Sequence, residues 1–154
     1  MQPPPTIALP PQVPLQAAFA PVVRDACATL QQGAGALLHS LYLYGSVARG
    51  EARPGASDLD LTLVLQRTPT PADSAQLERL RQALQQRHAA VVSKVDFDIG
   101  TLAQVLAPAQ RCSWGYWLKH HCRCLAGTDL AARFDALAPS RGIALAVNVG
   151  YGAA

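Results

Sequence analysis

Two aspartates, Asp58 and Asp60, open the apolar run Asp58-Leu59-Asp60-Leu61-Thr62-Leu63-Val64-Leu65. Aspartate is among the poorest strand formers, so its presence at the head of a good strand calls for a chemical reason. Side chains alternate along a strand. Asp58, Asp60, Thr62 and Val64 therefore share one face, and Leu59, Leu61, Leu63 and Leu65 share the other. Two carboxylates roughly 6–7 Å apart along the strand then project together. Unpaired, they repel and raise each other's pKa. A divalent cation removes the conflict, and Mg²⁺ takes hard oxygen ligands of this kind. The plain alternative is a pair of solvated aspartates on an exposed sheet face.

Upstream stands Tyr44-Gly45-Ser46-Val47-Ala48-Arg49-Gly50. An apolar run enters a tight turn there, and a short helix is predicted to begin near Ser46. Gly45 lets the backbone approach a ligand closely. Free N–H groups at the helix start, with the Ser46 hydroxyl, suit phosphate oxygens. The plain alternative is an ordinary strand-to-helix turn with Ser46 as its N-cap. The chain lacks G-x-x-x-x-G-K-[ST] and G-x-G-x-x-G, so neither a Walker loop nor a dinucleotide fingerprint is present. A phosphate turn and a cation-binding strand joined by one loop are the two parts that a nucleoside triphosphate with Mg²⁺ requires.

The pattern Gly45-Ser46-Val47-Ala48-Arg49-Gly50, a short loop, then Ser57-Asp58-Leu59-Asp60-Leu61 resembles the nucleotidyltransferase superfamily of polymerase-beta-like and minimal nucleotidyltransferases. The loop from Gly50 to Ser57 is one residue longer than in the minimal form, an insertion a surface loop tolerates cheaply. The resemblance implies that Asp58 and Asp60 bind Mg²⁺ and that Gly45 and Ser46 bind the triphosphate, with Arg49, Ser57 and Lys94 as further nucleotide-binding candidates. It also implies a third carboxylate on a later strand, completing a site for two Mg²⁺ ions. "SKVDFDIG" offers Asp96 and Asp98. Asp96 is expected as that third acid; Asp98, which could simply end the strand or cap the next helix, is the alternative. Arg49 is read mainly as holding its turn through backbone carbonyls, and Arg53 as solvated charge. Trp114, Tyr116 and Trp117 are read as core before base-stacking residues.

The implied reaction is transfer of a nucleoside monophosphate, AMP from ATP first among the donors, to an acceptor hydroxyl. A small molecule such as an aminoglycoside-type antibiotic is the leading acceptor. A nucleic-acid acceptor is disfavoured because no basic, aromatic-rich stripe is visible. A regulatory module of the antitoxin type, acting by binding or AMP-modifying a partner protein, is the rival reading. A third is the catalytic half of a longer protein.

The elements that must position these residues follow from periodicity. A helix is predicted from near Pro21 to Gly33, then a buried strand of about eight residues in "ALLHSLYLYG", the strand "DLDLTLVLQ", and an amphipathic helix "PADSAQLERLRQALQQRH" with Leu77, Leu80 and Leu84 on one face. The strand "AVVSKVDFDIG", a short helix "TLAQVLAP" and a longer helix "QRCSWGYWLKHHCRCLAG" ending at Gly127 follow, with a further helical turn in "TDLAARFDAL" capped by Thr128 or Asp129. The expected class is α/β (α+β), a small mixed sheet flanked by helices, in a nucleotidyltransferase fold. Residues 1–16 read as a proline-rich extended or disordered lead, 17–107 as the catalytic core, and 108–154 as a helical extension whose tail looks unfinished.

The chain has 154 residues and a formal charge of +3, which fits one domain and excludes a nucleic-acid-coating surface. Its apolar stretches fall short of a bilayer span, and no signal peptide is evident, so a cytoplasmic location with no membrane partner is expected. Cys27, Cys112, Cys122 and Cys124 show no C-x₂-C spacing. "KHHCRC" places His120, His121, Cys122 and Cys124 too close in sequence to converge on one ion from a helix, so structural thiols are expected.

Overall fold

The computed structural model describes residues 13–133. The proline-rich lead over residues 1–12, the end of "TDLAARFDAL" and the tail beyond it lie outside the described residues. Helix α1 (Ala20–Ala34) carries Pro21 in its first turn, where the missing N–H costs nothing. It buries Val22, Val23, Ala26 and Leu30. Strand β1 (Leu38–Tyr44) runs directly into the short helix α2 (Gly45–Arg49). Strand β2 (Leu59–Leu65), helix α3 (Pro71–Arg87) and strand β3 (Val95–Thr101) follow.

Helix α3 starts where its sequence says it should. Thr70 accepts the Asp73 N–H at 3.1 Å, and Asp73 accepts the Thr70 N–H at 2.8 Å, a reciprocal capping box. The hydrogen bond from Arg67, then those from Thr70, hold the Asp73 carboxyl down at about 2. Leu77 and Leu84 face inward. At the far end of α3, Asp25 of α1 meets Arg87 at 3.0 Å and His88 at 2.6 Å, tying the two helices together.

With a fourth strand, β4 (Arg123–Gly127), the sheet has the order β3-β2-β1-β4. Strands β1 and β2 are antiparallel, with Tyr44 opposite Asp60 and Tyr42 opposite Thr62. Strands β2 and β3 are parallel, with Asp60 opposite Asp96 and Thr62 opposite Asp98. Both sheet faces are covered. Leu59, Leu61, Leu63 and Leu65 join Phe19, Leu30, Leu77 and Leu84 in the larger apolar cluster, under α1 and α3. The opposite face packs Tyr42, Val64, Val105, Leu118, Cys122 and Leu130 in a smaller one.

One expected element is corrected. The helix foreseen from Gln110 to Gly127 is instead a wide turn (Arg111–Gly115), helix α5 (Tyr116–His120) and a fourth strand, β4 (Arg123–Gly127), preceded by helix α4 (Leu102–Leu106). Strand β4 pairs antiparallel with β1. Gly127, which reads as a helix stop, has φ +78° and lies so close to β1 that a Cβ there would strike the His39 carbonyl. Glycine serves a helix C-terminus and a close backbone approach equally well, which is why the spacing misled. A single-turn helix (Leu130–Arg133) follows, with Asp129 accepting the Ala131 N–H at 2.9 Å.

Candidate active site

The end of β1 and the beginnings of β2 and β3 meet at one end of the sheet. Asp58 is the last residue before β2, Asp60 the second residue of β2, and Asp96 the second of β3. One carboxylate oxygen from each lies within 4.8 Å of the other two. All three residues are half-buried, and theirs is the one group of three or more His, Cys, Asp or Glu side chains that converges among the described residues. The "KHHCRC" residues do not converge: α5 ends at His120, Cys122 is buried, and Cys124 lies on β4.

The local electrostatics are strained without a counter-charge. Burial first, then the charges of Asp96, Asp58 and Asp98, push Asp60 up to about 6 from its ordinary 3.8. Lys94, whose ammonium is 3.4 Å from Asp96 Oδ2, offsets this only in part. An all-oxygen donor set of this span fits one or two hard cations and offers nothing to a soft one. Mg²⁺, Mn²⁺ and Ca²⁺ are cations that such donors suit.

The turn between β1 and α2 abuts the acids. Gly45 has φ +78°, and a Cβ there would lie 2.5 Å from Asp60 Oδ2. Only glycine lets the backbone pass this close to the carboxylate. Helix α2 begins at Gly45 with Tyr44 as its N-cap and no side-chain cap, so Ser46 does not cap it. Gly50 ends the helix in the left-handed region, its N–H turned back to the Val47 carbonyl.

The remaining candidates are placed as follows. Arg49 donates through Nε to the Glu51 carboxylate at 3.2 Å; its hydrogen bond goes to this side chain and not to a backbone carbonyl of the turn. Ser57 accepts the Arg53 N–H at 2.8 Å and closes the loop before the acids. Gln16 grips the same loop by bonding both N–H and C=O of Ala52. Asp98 stands apart from the converging three and accepts a 2.5 Å hydrogen bond from the Tyr44 hydroxyl. Burial, then that bond and the charges of Asp98, Asp60 and Asp96, push the Tyr44 hydroxyl far above its ordinary range, so it stays protonated and donates.

The aromatic residues line the same face. Trp117 meets Tyr44 edge-on at 4.6 Å, stacks with His121 at 5.3 Å, and donates Nε1–H to Thr62 at 3.1 Å. Trp114 rests on Gly100, where a Cβ would meet the indole at 2.5 Å. Tyr116 lies 5.1 Å from both His120 and His121. Tyr44 is the residue that a spacing argument passes over. Its signal is positional: it ends β1 immediately before the glycine turn, on the face that carries Asp60.

A family model described as nucleotidyltransferase domain matches residues 23–105, which span α1 to α4 and contain the turn and all three acids. No curated protein sequence matches. Among solved structures, spectinomycin adenyltransferase from Enterococcus faecialis, with ATP and spectinomycin, aligns with a TM-score of 0.63 at 13% identity, covering 82% of this chain and 63% of its own. The chain therefore spans less than two thirds of that protein. A toxin–antitoxin structure with AMP-PNP aligns at 17% identity and TM-score 0.45, covering 84% and 87%. A tri-AMPylated HEPN toxin in complex with MNT antitoxin from Shewanella oneidensis aligns at 16% and 0.42, covering 86% and 82%. At these identities the first likeness shows the fold, and it agrees with the mixed sheet described above.

Proposed function

Because this chain belongs to the nucleotidyltransferase domain family, we propose that it moves AMP from ATP to a hydroxyl of a small-molecule acceptor, with Asp58, Asp60 and Asp96 as the cation ligands. The observation that carries the reading is the convergence of three carboxylates, from the start of β2 and from β3, within 4.8 Å, beside a glycine turn too tight for a Cβ. When bound, Mg²⁺ supplies neutralisation of the charge that builds on the triphosphate during transfer.

The chain's own residues do the rest by placement. The Gly45–Ser46 turn presents backbone N–H groups to the β- and γ-phosphates. Asp58 and Asp60, fixed by the first residues of β2, would hold the cation beside that turn. Asp96, on the neighbouring parallel strand, faces the side from which an acceptor hydroxyl approaches. A bond forms between the acceptor oxygen and Pα as the Pα–O bond to pyrophosphate breaks; the hydroxyl proton passes to Asp96 or to water. Lys94, 3.4 Å from Asp96, and Arg49, at the end of α2, are the basic candidates for contact with the nucleotide. No helix among the described residues is long and apolar enough to cross a membrane, and an ATP-dependent activity fits a cytoplasmic protein.

The small-molecule choice is supported by a net charge of only +3, too little for a polynucleotide track. The test is calorimetric titration with ATP, GTP, CTP and UTP, with and without Mg²⁺, followed by a labelled-AMP transfer assay with spectinomycin and streptomycin as probes. Mg²⁺-dependent ATP binding lost in Asp58→Asn, together with labelled product, supports the reading. Binding without transfer to any small molecule, but with labelling of a copurifying protein, would replace it with the protein-modifying alternative.

A further inference from the structure

Asp58 and Asp60 stand two residues apart and converge with Asp96 on one point. Asp96 and Asp98 stand two residues apart on β3, on the same sheet face, yet Asp98 is not in the group. Strand geometry gives both pairs the same separation, roughly 6.5–7 Å between Cα atoms. In the register Asp98 lies one pair further along, opposite Thr62, which puts it out of reach of Asp58; its spacing from Asp96 does not by itself keep it from a cation held between Asp60 and Asp96.

What differs is a side chain that crosses the sheet. Tyr44 ends β1 opposite Asp60, and its hydroxyl reaches past β2 to Asp98 on β3 at 2.5 Å. Trp117 packs edge-on against the Tyr44 ring at 4.6 Å. The same indole donates to Thr62, the residue opposite Asp98 in the β2–β3 register. Ring and hydroxyl are thus fixed from two sides, and the fixed hydroxyl holds the Asp98 carboxylate in its own hydrogen bond.

Resting on the nucleotidyltransferase reading above, we propose that Tyr44 is a positioning residue that withholds Asp98 from the cation site, keeping it at three carboxylates. The chemical reason is charge. Three carboxylates leave a pair of divalent cations with net positive charge to offer a triphosphate; a fourth would cancel it. The number of charged ligands is also what sets how tightly an oxygen site holds its cation. Freed, Asp98 would make a tighter cation site that binds the nucleotide less well. The ordinary account, a tyrosine that merely satisfies its hydroxyl, gives no such pair of opposite effects.

The experiment titrates Mn²⁺, followed by electron paramagnetic resonance, into wild type, Tyr44→Phe, Asp98→Asn and the double variant, each then titrated with the non-hydrolysable analogue AMP-PNP. Phenylalanine keeps the ring against Trp117 and removes only the donor. Tyr44→Phe should bind Mn²⁺ about tenfold more tightly, in the range found for residues that orient metal ligands, and bind AMP-PNP more weakly. Asp98→Asn and the double variant should bind Mn²⁺ as wild type does. A Tyr44→Phe affinity equal to or below wild type, or a gain that survives in the double variant, would overturn the proposal. So would a loss of Mn²⁺ affinity in Asp98→Asn, which makes Asp98 a ligand already and needs no folded Tyr44 variant to read. Wild type that binds no Mn²⁺ at the acids would instead sink the nucleotidyltransferase reading itself.

Discussion

The sheet carries two aspartate pairs with the same spacing, Asp58/Asp60 at the head of β2 and Asp96/Asp98 on β3, and they have different fates. Both members of the first pair join the converging group, half-buried beside the glycine turn. The second pair is divided: Asp96 joins, while Asp98 turns to Tyr44. The D-x-D spacing thus sets only which face a carboxylate points to; the neighbouring strand decides what it meets. β2 is a central strand between β1 and β3, so its acids are crowded from both sides, whereas β3 is an edge of this sheet. The second difference lies across β2 itself, where leucines on one face build a core and the acids belong to the other.

The largest break in the comparison comes from Asp60. Asp60→Asn should lower AMP transfer by about 10³-fold, the scale of several kcal/mol of transition-state charge stabilisation. The same change should raise the melting temperature of the cation-free protein at neutral pH, because it removes a half-buried charge that the fold disfavours. Leu61, one residue along and fully buried, should do the reverse. Leu61→Ala should cost about 2–5 kcal/mol of stability by chemical denaturation. If both variants lost stability together, the division of β2 into a site face and a core face would be wrong.

Gly45→Ala tests the turn against the acids. The left-handed backbone alone makes a side chain costly by about 1–2 kcal/mol, and the added Cβ would press on Asp60. Mg²⁺-dependent ATP binding should therefore fall, whereas alanine at Gly35, where a positive φ of 55° meets open space, should lower stability and spare binding.

A smaller effect is the pH response. The folded-state value of Asp60, about 6, lies above its ordinary 3.8. The fold therefore holds this proton more tightly than the unfolded chain does. In the cation-free protein, stability should be greatest below 3.8 as far as this group is concerned, fall as pH rises to about 6, and stay flat above. Melting curves with and without Mg²⁺ read it directly: stabilisation by Mg²⁺ should be greater at pH 7 than at pH 5. Equal stabilisation at both would remove Asp60 from the cation site.

Much of this arrangement is legible in the sequence, for identifiable reasons. The leucines of β2 alternate strictly, Thr70 and Asp73 announce α3, and Pro21 marks the start of α1; each signal is local. The motif from Gly45 to Leu61 carries the family because its chemistry is confined to one turn and one strand. Strand β4 is not legible. Arg123–Gly127 has no alternation, and what makes it a strand is the free edge of β1, a partner far away in sequence. The Tyr44–Asp98 bond is hidden for the same reason: it joins residues 54 apart across an intervening strand.

The central claim is that Asp96 completes the cation site and Asp98 does not. Calorimetric titration of Mg²⁺ with ATP into wild type, Asp96→Asn and Asp98→Asn tests it most directly. The account predicts that Mg²⁺-dependent binding is lost in Asp96→Asn and kept at wild-type affinity in Asp98→Asn. Binding that survives in Asp96→Asn, or that disappears in Asp98→Asn, would contradict it.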